Sequence, residues 1–211
     1  MLRLPSFQFH LPATLDEATA LLAAGTGEGP PVRVVAGGTD LWPNMKRRHQ
    51  KAATVVSLMR IPELRGIQKG SDLRLGATTT LTEIAASSLV RDLYPDLAKA
   101  VASISAPILR NMGTIGGNIC LDTRCTYYNQ NEEWRRSIDF CMKEEGTVCW
   151  VAPGSSRCWA ISASDSAPML QALESRVRLH SRAGDREIPI AALYQDDGIV
   201  YLSKRPDEIV T

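Results

Sequence analysis

The sequence predicts an α+β fold, and three observations carry that reading. Short β-branched runs alternate with capped helical segments through the N-terminal half. Two glycine turns punctuate the alternation, and a strand pair around Ala183-Gly184-Asp185 has the pattern of an antiparallel hairpin.

The elements follow in chain order. Thr14 stands before Leu15-Asp16-Glu17, with Glu17 three positions on as a capping box requires, and Ala18, Leu21 and Leu22 give the short helix its apolar face. Residues 25–31 break that pattern. Val32-Arg33-Val34-Val35-Ala36 then reads as a strand entering the turn Gly37-Gly38-Thr39-Asp40. Residues 53–58 form a buried-type strand, and residues 73–77 alternate like a half-exposed one. Thr80-Leu81-Thr82-Glu83 repeats the capping box and starts a helix running toward Leu89. Leu97, Ala100, Val101 and Ile104 recur at helical spacing until Pro107 bounds them. A second glycine turn, Gly113-Thr114-Ile115-Gly116-Gly117-Asn118, follows. From Cys120 to about Trp159 no period is visible, and long irregular stretches inside compact domains are usually functional. Residues 168–173 then read as a helix, and residues 176–181 and 186–190 as the hairpin strands.

Composition narrows the functional classes. Among 211 residues, 44% are hydrophobic and 22% charged, close to the globular average, so the chain is expected to fold around a core. Twenty-four basic residues nearly cancel twenty-three acidic ones, which leaves no global field to collect nucleic acid or an anionic membrane. No apolar run approaches the ~20 residues of a membrane helix. Met1-Leu2-Arg3-Leu4-Pro5 lacks the apolar region of a signal peptide, so the expected location is the cytoplasm. No nucleophile has a convincing base, and His10, His49 and His180 read as separate surface histidines.

The glycine turns are the first candidate site. Each adjoins an apolar segment and exposes backbone N–H groups able to cradle a pyrophosphate, so the pair fits a dinucleotide, while either one alone also reads as a tight connection. Neither is a Rossmann fingerprint: Gly25-Thr26-Gly27-Glu28-Gly29 has no strand before it, Gly113-Thr114-Ile115-Gly116 has the wrong spacing, and no GxxxxGK[ST] occurs. Ala36-Gly37-Gly38-Thr39-Asp40-Leu41 and Thr114-Ile115-Gly116-Gly117-Asn118 resemble, in the same order, the two FAD-contacting loops of flavoprotein subunits in the xanthine dehydrogenase family.

That resemblance covers essentially the whole chain. It implies a bilobal FAD-binding domain of the vanillyl-alcohol-oxidase type, with a lobe over residues 1–52, a second over 53–211, and FAD between them. The diphosphate and ribityl chain would lie on the two loops, with Val34 and Val35 leading into the first. Ile104 would be the apolar residue near the flavin. Asp165 of Asp165-Ser166-Ala167-Pro168 would face a polar part of FAD, although it also reads as an N-cap. Arg110 matches a basic residue of the family and equally reads as a solvated side chain. The family also implies a further C-terminal domain beyond Thr211, which this sequence lacks.

The five cysteines all fall within 39 residues, an odd number and a poor disulfide framework. Cys125, Cys141, Cys149 and Cys158 are separated by 15, 7 and 8 residues. Four thiolates suit a [4Fe-4S] cluster or a tetrahedral zinc, and the spacing chooses neither; scattered buried thiols are the plain alternative. The run Cys120-Leu121-Asp122-Thr123-Arg124-Cys125-Thr126-Tyr127-Tyr128-Asn129-Gln130 and the four-cysteine spacing resemble the hydroxybenzoyl-CoA reductase β-subunit branch of the family. The branch implies an inserted [4Fe-4S] segment over residues 120–160, with those four cysteines as ligands and Cys120 as a small core residue. Trp134, Trp150, Trp159, Tyr127 and Tyr128 would shield the cluster or form a local core.

The implied function is electron relay. A ferredoxin-like donor would supply electrons, this subunit would hold the cluster and FAD, and partner subunits would carry molybdopterin and [2Fe-2S] clusters for reductive dehydroxylation of an aromatic thioester. A purine- or aldehyde-type molybdenum hydroxylase subunit and a zinc-stapled nucleotide-binding module are the alternatives.

Overall fold

A parallel sheet whose central strand is apolar on both faces builds the first layer. The computed structural model describes residues 2–25 and 31–211; Met1 and residues 26–30, which carry most of the Gly25–Gly29 run, lie outside the described residues. Strands β1 (Gln8–His10), β2 (Val32–Val35) and β3 (Thr54–Ser57) pair in parallel in the order β1-β3-β2. On the central strand Val55 and Val56 are both fully buried and serve different cores. Val55 packs with Val35, Leu41, Met45 and Ala52, while Val56 packs with Ala18, Leu22, Leu58, Ile61, Leu64 and Ile209. A parallel sheet covered on both faces accounts for the absence of alternation in these runs, and full burial of each valine stabilises by ~1.5–3 kcal/mol. Because β3 is the central strand, this sheet draws on residues from both sides of position 52.

Helix α1 (Leu15–Ala24) begins where the capping residues place it. Thr14 Oγ1 accepts the Glu17 N–H at 3.2 Å. The Glu17 carboxylate, however, accepts from the Ala13 N–H at 2.7 Å, one residue before the position a complete box would use. Helix α2 (Leu41–Lys46) starts directly from the first glycine turn and was not visible in the sequence pattern.

The second core is built by short helices and an antiparallel sheet. A ribbon of β4 (Ile67–Lys69) and β5 (Leu73–Leu75) leads into α3 (Leu81–Ala86), whose capping box is complete: the Thr80 N–H reaches Glu83 at 2.8 Å. The helix expected to run on toward Leu89 divides at Ser87, which closes α3 and caps α4 (Ser88–Leu93) by accepting the Val90 N–H. There follow α5 (Pro95–Ser103), α6 (Pro107–Arg110), α7 (Ile115–Ile119), α8 (Glu132–Ser137) and α9 (Ala167–Ala172). Strands β6 (Arg176–Ser181), β7 (Gly184–Pro189) and β8 (Ile209–Val210) form a sheet in the order β7-β6-β8. Ile84, Val90, Val101, Ile115, Leu179 and Leu193 centre this core. No helix among the described residues is long and apolar enough to cross a membrane.

Strand β8 joins the two parts: Ile209 belongs to the first-sheet core and Val210 packs on the second. Glu208, 1% exposed, anchors it by accepting from Arg186 Nε at 2.6 Å, Arg186 Nη2 at 2.8 Å and the Arg205 N–H at 2.6 Å. The Arg186 guanidinium outweighs burial and holds the Glu208 carboxyl below its ordinary value. Glu208→Gln is therefore expected to cost about 3 kcal/mol at neutral pH, the low end for a broken buried pair because Arg186 retains some solvent. Since the folded-state pKa is depressed, the difference between wild type and variant is complete above the ordinary value of 4.5 and shrinks as pH falls through the folded value. Denaturant unfolding of both proteins at pH 7 and below pH 4.5 measures it.

Candidate cofactor site

The two glycine turns lie side by side, in direct backbone contact. A Cβ added at Gly37 would overlap the Met112 carbonyl, and the position of a Cβ on Gly113 is 3.6 Å from Thr39 Oγ1. Gly38 adopts φ +72°, in the left-handed region, and a Cβ there would overlap the Trp42 indole. Gly37 is thus needed for approach and Gly38 for conformation. The second turn is not an open loop. It is the helical turn α7, whose N-cap Thr114 accepts the Gly117 N–H at 3.1 Å. Its glycines have no positive φ. Gly116 is small because a Cβ would stand 2.7 Å from the Ala77 carbonyl, whereas Gly117 would meet just Thr114 Oγ1, at 3.0 Å, and otherwise faces open space.

The other expected flavin residues take distinct positions. Val35, Leu41, Ile115 and Ile104 are buried in the cores that hold the turns, with Val34 half-buried beside them. Ile104 ends α5, and its carbonyl, with that of Ser105, accepts from Arg110 Nη1 at 2.8 Å; Arg110 therefore closes a helix end. Asn118 is a buried hub. Its Oδ1 receives Ser164 Oγ at 3.1 Å, the Ser166 N–H at 3.0 Å and Ser166 Oγ at 2.6 Å. These bonds hold both neighbours of Asp165 and leave Asp165 itself exposed at the tip of the turn. The N-cap of α9 is Ser166, so Asp165 does not cap that helix.

Asp40 is ion-paired with Arg124, the residue before Cys125. This pair begins a seam along which the cysteine segment docks on the first glycine turn and the end of α2. Gln50 donates to Asp122 at 3.2 Å, Lys51 to Glu145 at 2.6 Å, and Tyr128 Oη to the His49 carbonyl at 2.5 Å. Arg135, 1% exposed, pairs with Glu144 and donates to the Arg47 carbonyl. His49 is buried rather than on the surface: Nε2 lies 2.8 Å from the Gln130 carbonyl, its ring packs on Tyr128, and burial with nearby Arg135 and Arg47 lowers its pKa. The isolated-histidine pattern in sequence carried no sign of these long-range partners. Of the segment's aromatics, Tyr128 is buried, while Trp134, Trp150 and Trp159 are 37%, 37% and 46% exposed.

The thiols divide as follows. Cys120 packs against the second core, where burial pushes it up to about 11. Cys141, Cys149 and Cys158 are buried and Cys125 is half-buried. Cys141 feels the charges of Cys125 and Cys149, and Cys158 those of Cys149 and Cys141, so the four share one electrostatic neighbourhood. Backbone N–H groups two residues on point at three of the sulfurs: Lys143 at Cys141, Val151 at Cys149 and Ala160 at Cys158, the last at 3.5 Å. Burial pushes Cys141 and Cys158 up. At Cys149 the Trp159, Ala152 and Val151 amides outweigh burial and draw the thiol below its ordinary value. Among the described residues no three His, Cys, Asp or Glu side chains are gathered closely enough to hold a single metal ion.

Two clefts flank these elements. One of about 370 Å³ is backed by Ile115 and Gly116 of α7 but lies away from Gly37, Gly38 and Gly117; the other, about 340 Å³, runs past Thr123, Trp159 and Tyr201. The second cleft is likewise not lined by either glycine turn.

Residues 5–211 match the family described as the FAD binding domain in molybdopterin dehydrogenase. The chain belongs to this family. Over 116 residues it is 40% identical to the carbon monoxide dehydrogenase medium chain of Hydrogenophaga pseudoflava, covering 54% of this chain and 39% of that one. Over 114 residues it is 37% identical to the xanthine dehydrogenase FAD-binding subunit of Escherichia coli O157:H7, covering 53% and 38%. The solved structure of carbon monoxide dehydrogenase from H. pseudoflava matches with TM-score 0.73 and 26% identity, over 99% of this chain and 58% of that one. Quinoline 2-oxidoreductase from Pseudomonas putida 86 matches with TM-score 0.72 at 20% identity over the same shares, a likeness of fold. The chain thus spans a little over half the length of these solved relatives.

The two turns respond differently to added bulk. Gly37→Ala is expected to destabilise the fold by about 1–3 kcal/mol through overpacking against Met112. Gly117→Ala should fold normally and lower flavin content, since its Cβ would enter open space beside Thr114. Thermal unfolding and flavin absorbance per chain separate the two effects.

Proposed function

We propose that this chain is the FAD-binding electron-transfer subunit of a molybdenum-containing reductase of the hydroxybenzoyl-CoA type, relaying electrons from a ferredoxin-like donor toward molybdopterin- and [2Fe-2S]-bearing subunits. The observation that carries the finer reading is the four-thiol segment, with amide groups directed at three of its sulfurs. When bound, the flavin and a [4Fe-4S] cluster supply the one- and two-electron chemistry.

The residues present fit both groups. The open face at Gly117 leaves the close approach that a diphosphate needs, the left-handed turn at Gly38 sets the path of the first loop, and Asn118 holds the residues on either side of solvent-exposed Asp165. Cys125, Cys141, Cys149 and Cys158 offer the soft donors iron requires, and N–H···S bonds stabilise thiolate charge. Arg124 and Asp40 tie the cysteine segment to the first turn, so the chain's own contacts join the two cofactor positions.

The second reading is the FAD subunit of a complex that oxidises a purine, an aldehyde or a similar small substrate. The names of the relatives above favour it, since they include xanthine and carbon monoxide dehydrogenase subunits. Turnover of an aromatic CoA thioester by the assembled complex, against oxidation of purines or aldehydes, separates the two.

The cluster reading makes a selective prediction. Protein isolated anaerobically should contain iron and acid-labile sulfide in fixed ratio to flavin. Ser at position 125, 141, 149 or 158 should each abolish the electron paramagnetic resonance of the reduced cluster, because a hydroxyl is a poor iron ligand, whereas Cys120→Ser should preserve it. Stoichiometric zinc in place of iron and sulfide would show a zinc-stapled module instead.

A further inference from the structure

Lys143 is a buried cation with no place in the proposed ligand set. Its side chain is 6% exposed, and Nζ donates to Asp122 Oδ1 at 2.7 Å, Thr123 Oγ1 at 2.6 Å and the Gly198 carbonyl at 2.6 Å. It also stands over two rings, 5.0 Å from the centroid of Tyr128 and 5.5 Å from that of Tyr201. An ammonium in a dry site is costly unless fully partnered, and here three acceptors and two ring faces complete its shell.

Lys143 leads back to the thiols by two routes. The Lys143 amide points at the Cys141 sulfur. Gly198, whose carbonyl receives the ammonium, donates its N–H to the Cys158 carbonyl at 2.9 Å, and a Cβ on Gly198 would stand 2.6 Å from Cys158 Sγ. The positive charge of Lys143 acts on Cys158, opposing the effect of burial there. Asp122, the opposing charge, is held from its other side by Gln50 at 3.2 Å. The result is an oriented Lys–Asp pair on a residue whose amide meets Cys141 and whose ammonium is tied, through Gly198, to Cys158.

We infer that Lys143 is a positioning residue that sets the reduction potential of the iron–sulfur group held by Cys125, Cys141, Cys149 and Cys158, through a fixed positive charge in a water-poor site. The inference rests on the cluster reading above. Reduction adds one electron to a centre already made negative by four thiolates, and a nearby buried cation favours the reduced form. Asp122 works against it, so removing either partner moves the potential in a defined and opposite direction.

The test is a redox titration of the anaerobically prepared assembled protein, followed by electron paramagnetic resonance, with iron and flavin counted in each sample. Lys143→Met keeps the length and apolar stem and should shift the cluster to a more negative potential at unchanged iron per flavin. Asp122→Asn should shift it to a more positive one, and Lys143→Arg should return it toward wild type. A purely structural role would lower iron content in both variants and leave the potential of the remaining cluster unmoved. Wild-type potentials in Lys143→Met and Asp122→Asn, or shifts of the same sign, overturn the inference. If Lys143→Met fails to retain iron, an unmoved potential in Asp122→Asn overturns it alone. Wild-type protein lacking iron and sulfide would instead remove the cluster reading on which the inference stands.

Discussion

The close approach of Gly37 to the Met112 carbonyl is the constraint on which the rest of the site depends. The first turn hangs from β2, an edge strand of the parallel sheet; the second is the start of α7, held by a different core. Their backbones touch where no side chain can intervene. The second turn is fixed in place by main-chain bonds to the segment before α3: Leu81 donates to the Gly113 carbonyl, Ile115 to that of Thr79, and Gly116 to that of Ala77. Thr78 in turn donates to Leu64, which lies in the first-sheet core. Two cores are thereby brought to one edge, and the N–H groups of Ile115, Gly116 and Gly117 are used in holding that edge together.

The cysteine segment relies on a different kind of force. It has little regular structure and few apolar residues in either main core, and it is held by buried polar contacts: Arg135 with Glu144 and Arg47, Tyr128 with His49, Lys143 with Asp122. Such contacts contribute less net stability than apolar packing of equal area, because desolvation offsets much of the attraction. They are, however, demanding in geometry, and an irregular segment has few other means of adopting one conformation. Asp40 and Arg124 show the economy of this arrangement, since one ion pair joins a residue of the first glycine turn to the neighbour of a candidate ligand.

Much of the local architecture was legible from residue chemistry. Thr14 and Thr80 mark helix starts because a hydroxyl can satisfy an otherwise unpaired amide, and the 176–190 hairpin follows from alternation around a turn. The three-residue strand β1, with the ribbon strand β4 and the two-residue β8, was not legible, because runs so short have no period and owe their pairing to distant partners. The glycines at 116 and 117 look alike in sequence, yet one is small for the sake of Ala77 and the other faces open space. His49 and Lys143 carried no local signal either, since a histidine or lysine in a polar stretch looks solvated until the chain brings Gln130, Asp122 and Gly198 beside it. The spacing of the cysteines alone chose no ligand set, and the amides directed at their sulfurs depend on turn conformations that spacing does not encode.

Strand β8 has a consequence for how the molecule comes into being. Ile209 completes a core otherwise made by Ala18, Leu22, Val56, Leu58, Ile61 and Leu64, so residues 18–64 wait for a partner far along the chain. Contacts of such long sequence separation slow folding, because loop-closure entropy is lost before the contact gives any return. During synthesis the face of α1 and the central strand would stay partly uncovered, a sticky surface in want of shelter. Synthesis therefore has to pass Ile209 before this core is complete, which ties ribosomal transit time and chaperone access to the yield of folded protein.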